Sequence, residues 1–216
     1  MVSENVQALQ HPGFARMYLR FSAQAERRGA ARHRDRLLAG LRGTVIEVGA
    51  GNGLNFAHYP ATVTEVLAIE PDQTLREHAQ VAGMASSVAV RVLNAQAGEL
   101  PAADGVLDGV VMSLVLCTVP DPAQALREAA RVLRPGGELR FYEHVRSAHP
   151  ALGRAQDAVM PLWRRVAGGC EPNRDTTTTI TAAGFTIDSI DRFAFSPSPL
   201  LPGFAHVVGT AHTPTA

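Results

Sequence analysis

Net charge is the first thing this chain does without: 20 Lys plus Arg side chains are matched by 20 Asp plus Glu. A balanced chain has no electrostatic footprint for nucleic acid or an acidic membrane surface, so neither is expected as a partner. Long apolar runs are missing too. The best, residues 110–119, is strand-sized and holds Ser113 and Thr118, far short of the ~20 residues that cross a bilayer. The first residues, MVSENVQALQHPG, are polar and contain no apolar core, so neither a secretory leader nor stable membrane insertion is expected. Cysteine is scarce. Cys117 and Cys170 are the two present, and their spacing is not that of a metal-binding pair, so no metal centre is expected. Together these absences lead to the expectation of a cytoplasmic protein with reduced thiols. Nothing in the sequence reports on oligomeric state.

What remains is an ordinary globular mix, 46% hydrophobic and 19% charged over 216 residues, enough for one domain with a substantial core. Residues 14–41 read as helical with a break at Gly29. Their cluster of Arg27, Arg28, Arg32, His33, Arg34 and Arg36, interrupted by Glu26 and Asp35, reads as a solvated helix face. An alternation follows. Strands are expected at 44–49, 63–70, 88–95, 107–116 and 138–145, with helices opening at 52–58 and spanning 74–82 and 121–137. The last of these helices has Asp121 as cap, Pro122 at its first position, Gln124 to close a capping box, and a stripe of Leu126, Ala129, Ala130 and Leu133. Such alternation is the pattern of an α/β fold with a parallel sheet and helices on both faces. Residues 185–195 and 205–212 are expected to pair as an antiparallel hairpin at the sheet edge. The whole chain, 1–216, reads as a single domain: a helical segment (1–41), a ligand-binding core (42–147), a cap over the site (148–184) and the hairpin strands (185–216).

The stretch EVGAGNGLNF (47–56) follows the first strand, where open parallel sheets bind ligands beyond their carboxyl ends. Its glycines let backbone approach a ligand closely. The spacing Gly49-x-Gly51-x-Gly53 with Leu54 after it lacks the last glycine of a dinucleotide fingerprint, and no Gly-Lys-Ser/Thr follows as in a P-loop. A nucleoside with a short charged tail and no phosphate is the alternative. Glu70, ending the second strand, can accept both ribose hydroxyls, although a dinucleotide enzyme can use that carboxylate too. Glu47 sits inside a strand, where a carboxylate must be hydrogen-bonded or paired. It either faces an ammonium ligand or backbone amides, or it ties down the loop.

These residues resemble the class I S-adenosylmethionine-dependent methyltransferases, through VIEVGAGNG (45–53), AIEPD (68–72), AQAGELP (95–101), LDGVVMSLVLCTV (107–119) and REAARVLRPGG (127–137). The resemblance implies a Rossmann-like, seven-stranded, mostly parallel sheet with its last strand antiparallel. It implies S-adenosylmethionine as cofactor, released as S-adenosylhomocysteine. Glu47, Gly49, Ala50, Gly51, Gly53 and Asn55 would surround its methionine part, Glu70 and Pro71 its ribose, Gln96 and Ala97 the adenine edge, and Leu114 would lie nearby. Many members have an acid where Gln96 stands; the Gln96 carbonyl oxygen can accept the same bond.

A narrower resemblance rests on GNGLNFAHYP (51–60), LVLCTV (114–119), EHV (143–145), Trp163, GGC (168–170), Arg174 and AGF (183–185). This set is similar to the methyltransferase-like group whose animal members are alkyl-thiol S-methyltransferases, with bacterial relatives. The animal proteins carry an apolar N-terminal anchor that the polar start of this chain does not match, which favours a small-molecule thiol as acceptor. A thiol of pKa about 8.5 is already a few per cent thiolate at neutral pH, so a modest base suffices. His144, following the apolar run of the fifth strand, is the candidate base, against a histidine merely satisfied by a carbonyl. Glu143 either orients it or hydrogen-bonds in the sheet. Tyr18, Tyr59, Cys117, Trp163 and Arg174 are candidate acceptor-site residues, with Asp157 a weaker one. Four of them also have a structural reading: core or interface for Tyr18, a small hydrophobe for Cys117, an anchor for Trp163, an ion pair for Arg174. Oxygen or nitrogen acceptors, a nicotinamide oxidoreductase and a non-catalytic binding protein stay open as alternatives.

Overall fold

The computed structural model describes residue 10 and residues 12–198 and 203–214; the polar start at 1–9 and the end of the tail lie outside the described residues. Helices α1 (Pro12–Arg27) and α2 (Ala30–Leu38) are separated at Gly29, whose φ of 103° stops the first helix where the sequence predicts a break. Strands β1 (Gly43–Val48), β2 (Val63–Ile69), β3 (Ala89–Leu93), β4 (Leu107–Ser113) and β5 (Leu133–His144) follow. A short 3-10 turn (Leu54–His58) and α3 (Gln73–Met84) lie between the first three. Helix α4 (Pro122–Val132) precedes β5, and α5 (Pro150–Val166) and α6 (Thr176–Ala182) follow it. Strands β6 (Thr186–Phe195) and β7 (Phe204–His212) close the chain.

The seven strands form one sheet in the order β3-β2-β1-β4-β5-β7-β6. Strands β1 to β5 pair in parallel, and β7 runs antiparallel to both β5 and β6. The expected hairpin exists, with β7 inserted between β5 and β6. Strand β1 shows why the sheet is covered on both faces. Ile46 and Val48 enter one core with Leu126 of α4 and Ile180 of α6, while Val45 enters the other with Leu37 of α2 and Ala79 of α3. Glu47 points the way of Val45, because strand side chains alternate.

Helix α4 begins as predicted: the Asp121 carboxylate accepts from Gln124 N at 2.8 Å, with Pro122 at the first position. The Gln124 side chain does not close a capping box; it donates to the Gly98 carbonyl at 3.1 Å. The helix also stops five residues early. Residues 133–137 belong to β5, where Leu133 pairs with Leu107 and is buried. Its apolar side chain fits a helical stripe equally well, and pairing with β4 decides the matter. Strand β4 ends at Ser113, and residues 114–116 turn away. Helix α5 is loosely seated: Gly153 alone is buried along it, while Leu152, Val159, Leu162 and Val166 are exposed. No described helix is long and apolar enough to cross a membrane.

Candidate functional site

The strand order reverses between β1 and β4, so both the glycine loop and the turn after β4 sit at the crevice where such sheets bind ligands. Gly49, Gly51 and Gly53 have φ values of 65°, 58° and 79°, a left-handed region that suits glycine. A Cβ on Gly53 would lie 2.8 Å from the Ala82 Cβ of α3. This glycine therefore supplies the close helix packing that a fingerprint glycine usually supplies. Opposite, Leu114 is the one described non-glycine residue with positive φ, at 60°. Its amide is held to the Tyr142 carbonyl at 2.6 Å. Strain of this kind gathers at ligand sites.

Two buried carboxylates organise the loop. Glu70 spreads its oxygens over two amides, Oε2 accepting from Gly51 N at 2.8 Å and Oε1 from Asp72 N at 2.9 Å. Burial pushes its pKa up to about 7 in spite of these donors. Pro71 places its carbonyl toward Gln10 and Arg76. Glu47 is 1% exposed and receives the Asn55 amide at 2.8 Å and the Tyr59 hydroxyl at 2.7 Å. Burial raises its pKa to about 7 as well. These two bonds tie Glu47 to the loop. Tyr59 and Asn55 are its clamps, and both are buried. Arg34, read as part of a solvated face, is drawn in: it donates to Asn55 Oδ1 at 2.7 Å and to Glu26 at 2.8 Å.

Helix α1 lies over this loop. A Cβ on Gly51 would sit 3.0 Å from the Tyr18 hydroxyl, and one on Gly168 would sit 2.8 Å from the Phe14 ring. Asn52 donates to Ser22 at 3.2 Å, while its own Oδ1 is buried without a partner. Gln96 and Ala97 follow β3, with Gln96 bridged to Glu99. Bare peptide at 49–53, a paired carboxylate at 70 and an unpartnered amide oxygen at 52 fit a polar, phosphate-free nucleoside whose charged tail enters the loop.

Beyond β4 and β5 the materials change. Cys117 Sγ lies 3.7 Å from Cys170 Sγ, and each sulfur lies 3.5 Å from His144 Nδ1. These residues are 27 and 26 positions apart from His144 along the chain, so linear spacing gave no sign of the cluster. Burial raises the Cys117 thiol well above its ordinary value, whereas its hydrogen bond to Cys117 lowers Cys170. His206, the β7 partner of His144 in the sheet, packs its ring 4.4 Å away. Burial and the neighbouring His144 lower its pKa to about 3. It was not singled out in the sequence; paired histidines at the ends of two strands were the available signal.

Glu143 does not orient His144. Its carboxylate accepts from the amides of Val115, Leu116 and Cys117 at 2.9–3.0 Å, holding the turn that carries Cys117. Arg174 is structural too: its guanidinium donates to the Leu116 and Val119 carbonyls, both at 2.7 Å, and pairs with Glu171. Glu171 N reaches the Cys117 carbonyl at 2.6 Å. These bonds stitch the 170s to the β4 turn. Trp163 packs on Phe204 at 5.2 Å, and its side chain helps to lower the pKa of the Cys170 thiol. Asp157 is an exposed partner of Arg146 and Asn173.

The methyltransferase domain family matches residues 46–141, from β1 into β5. The human thiol S-methyltransferase TMT1B is 34% identical over 183 residues, 81% of this chain and 73% of that protein. The human thiol S-methyltransferase TMT1A is 33% identical over 66% of this chain and 60% of its own. A solved structure from Thermotoga maritima, described as an S-adenosylmethionine-dependent methyltransferase and possible histamine N-methyltransferase, superposes with a TM-score of 0.68 at 26% identity. That comparison covers 93% of this chain and 96% of the other.

Proposed function

We infer, for a chain that belongs to the family of S-adenosylmethionine-dependent methyltransferases, that its acceptor is the sulfur of a small-molecule thiol. The observation that carries this reading is the meeting of Cys117, His144 and Cys170. They come from LCTV, EHV and GGC, three separate stretches of the set that resembles the thiol-methylating group, and the fold brings them to one point. The relatives named thiol S-methyltransferases support the same choice.

S-adenosylmethionine supplies a methyl group activated on a sulfonium. The loop Gly49, Ala50, Gly51 and Gly53 offers bare backbone to its tail. Glu70 stands where ribose hydroxyls are accepted, and Gln96 and Ala97 are assigned to the adenine edge. Glu47, through Asn55 and Tyr59, fixes the loop. Leu114, at the strained turn after β4, is assigned a place near the cofactor. His144 is assigned to the acceptor. With Nδ1 turned to both sulfurs it works as a unit with them and not as a free-standing base. Methyl transfer from a sulfonium is an in-line displacement, so alignment of acceptor and methyl supplies much of the rate.

Two measurements test the reading. Thermal shift with S-adenosylmethionine, S-adenosylhomocysteine and NAD(P) is expected to show stabilisation by the first two alone, about 2.7 kcal/mol at a hundredfold excess over Kd. A labelled-methyl assay over matched thiols, phenols and amines is expected to label the thiols. Labelled phenol with unlabelled thiol overturns the sulfur assignment.

A further inference from the structure

The sulfur–imidazole cluster has a shape that hydrogen bonding does not require. A disulfide would bring the sulfurs to about 2.05 Å, and a hydrogen-bonded thiol need favour only one partner. Here three edges are short at once: 3.7 Å between the sulfurs and 3.5 Å from each sulfur to His144 Nδ1. A tetrahedral ion with bonds of about 2.3 Å to sulfur and about 2.05 Å to imidazole nitrogen sets edges of about 3.8 and about 3.6 Å. All three edges agree with that triangle to about 0.1 Å.

The surroundings fit the same purpose. The turn bearing Cys117 is fixed by the Glu143 carboxylate, and the segment bearing Cys170 by Arg174 and Glu171. Such outer contacts set ligand direction in metal sites. No described carboxylate completes the set: Glu143 spends its oxygens on three amides. His206 turns its Nδ1 to the Phe204 carbonyl at 2.8 Å. Three protein ligands with a fourth position open is the arrangement of catalytic zinc, whereas structural zinc is closed by four. Two thiolates and an imidazole are soft donors that suit zinc-type ions over magnesium or calcium.

We propose that Cys117, His144 and Cys170 bind a zinc-type divalent ion whose open fourth position takes the acceptor sulfur. The second half of this proposal rests on the thiol reading above. As the acceptor coordinates, its S–H bond breaks, the proton passes to solvent and a metal–sulfur bond forms. The bound thiolate then supplies the electron pair of the new S–CH3 bond while the sulfonium C–S bond of the donor breaks. The products are a thioether and S-adenosylhomocysteine, with no change of oxidation state at the metal. A neutral thioether is a poorer ligand than a thiolate and leaves. His144 acts as a ligand in this scheme, and the metal does the work of a base.

The full chain, purified from zinc-supplemented cells without chelator, is expected to hold about one zinc per chain by elemental analysis. Cys170→Ser and His144→Ala are expected to lose most of it. Stabilisation of these variants by S-adenosylhomocysteine, which engages the other half of the site, reports that they are folded. Cobalt(II) added to stripped wild-type chain is expected to give thiolate-to-cobalt charge-transfer absorption and intense tetrahedral bands. The tetrahedral bands are expected to move on adding 2-mercaptoethanol and to stay put with ethylene glycol. Wild-type metal content no higher than that of a Cys117→Ser/Cys170→Ser double variant, or a Cys117–Cys170 disulfide in the purified chain, overturns the site. Cobalt bands that 2-mercaptoethanol leaves unmoved overturn the open position. A loaded chain that binds the thiol yet methylates none overturns the proposed acceptor and leaves the metal site standing.

Discussion

On the β1–β2 side of the crevice lie bare peptide and carboxylates; on the β4–β5 side lie two sulfurs and an imidazole. The first side is assembled from near neighbours. Glu47 meets Asn55 and Tyr59, 8 and 12 residues away, and Glu70 meets Asp72, 2 residues away. The second is assembled from distant ones, Cys117 and Cys170 lying 53 residues apart. The first resembles what every user of the same donor needs. The second is where we propose that acceptor chemistry is chosen, and it hangs on loops tied together by Glu143 and Arg174. The contrast implies that the halves can be damaged separately.

The sharpest cut is Cys117→Ala. Turnover of a thiol is expected to fall by at least about 100-fold, while the donor Kd, read by calorimetry, stays within about twofold because the glycine loop is untouched. A parallel loss of donor affinity would break the distinction between the halves. Next is Glu70→Gln. An amide in place of the carboxylate turns a donor toward one of two backbone N–H groups, so donor affinity is expected to weaken about 10- to 100-fold. Thiol dependence of the cobalt bands should survive it.

A third effect comes from the two carboxylates beside the glycine loop. Glu47 and Glu70 have pKa values raised by burial from 4.5 to about 7. The folded state therefore holds these protons longer than the unfolded chain. Their contribution to stability is complete below about pH 4.5 and is lost as pH rises through about 7, an effect on the order of a few kcal/mol. Denaturation midpoints at pH 5.5 and 8, at fixed ionic strength, are expected to show the chain weaker at the higher pH. Bound donor should reduce that difference, since ribose hydroxyls donating to Glu70 favour its ionised form. The smallest effect is expected from Asp157→Asn. Its ion pair with Arg146 is exposed, so turnover and melting temperature should both match wild type; a loss of turnover would draw the cap helix into the acceptor half.

The sequence made the first side readable because its signals are local. A β-branched strand, a glycine run at its end and an acid closing the next strand each occupy a few adjacent positions. It misplaced what depends on pairing across the sheet. Leu133 fits the apolar stripe of a helix, and the partner strand at Leu107 claims it for β5. Tyr59 and Arg174 read as residues reaching toward an acceptor because long polar side chains in a loop look available. In the fold each is used up, one on the Glu47 carboxylate and the other on the carbonyls of Leu116 and Val119.

Alternating apolar segments and their punctuation were enough to determine the α/β class, the helices on both faces and the place of the glycine loop, since all three follow from short-range periodicity and from where side chains are missing. Only the tertiary structure decided which polar groups are spent on the fold and which are left to act. It closed Glu47 between Asn55 and Tyr59, and it brought Cys117, His144 and Cys170 within 4.8 Å of one another. The reason is distance along the chain: a cluster whose members arrive on separate strands and loops exists only once the sheet order is set.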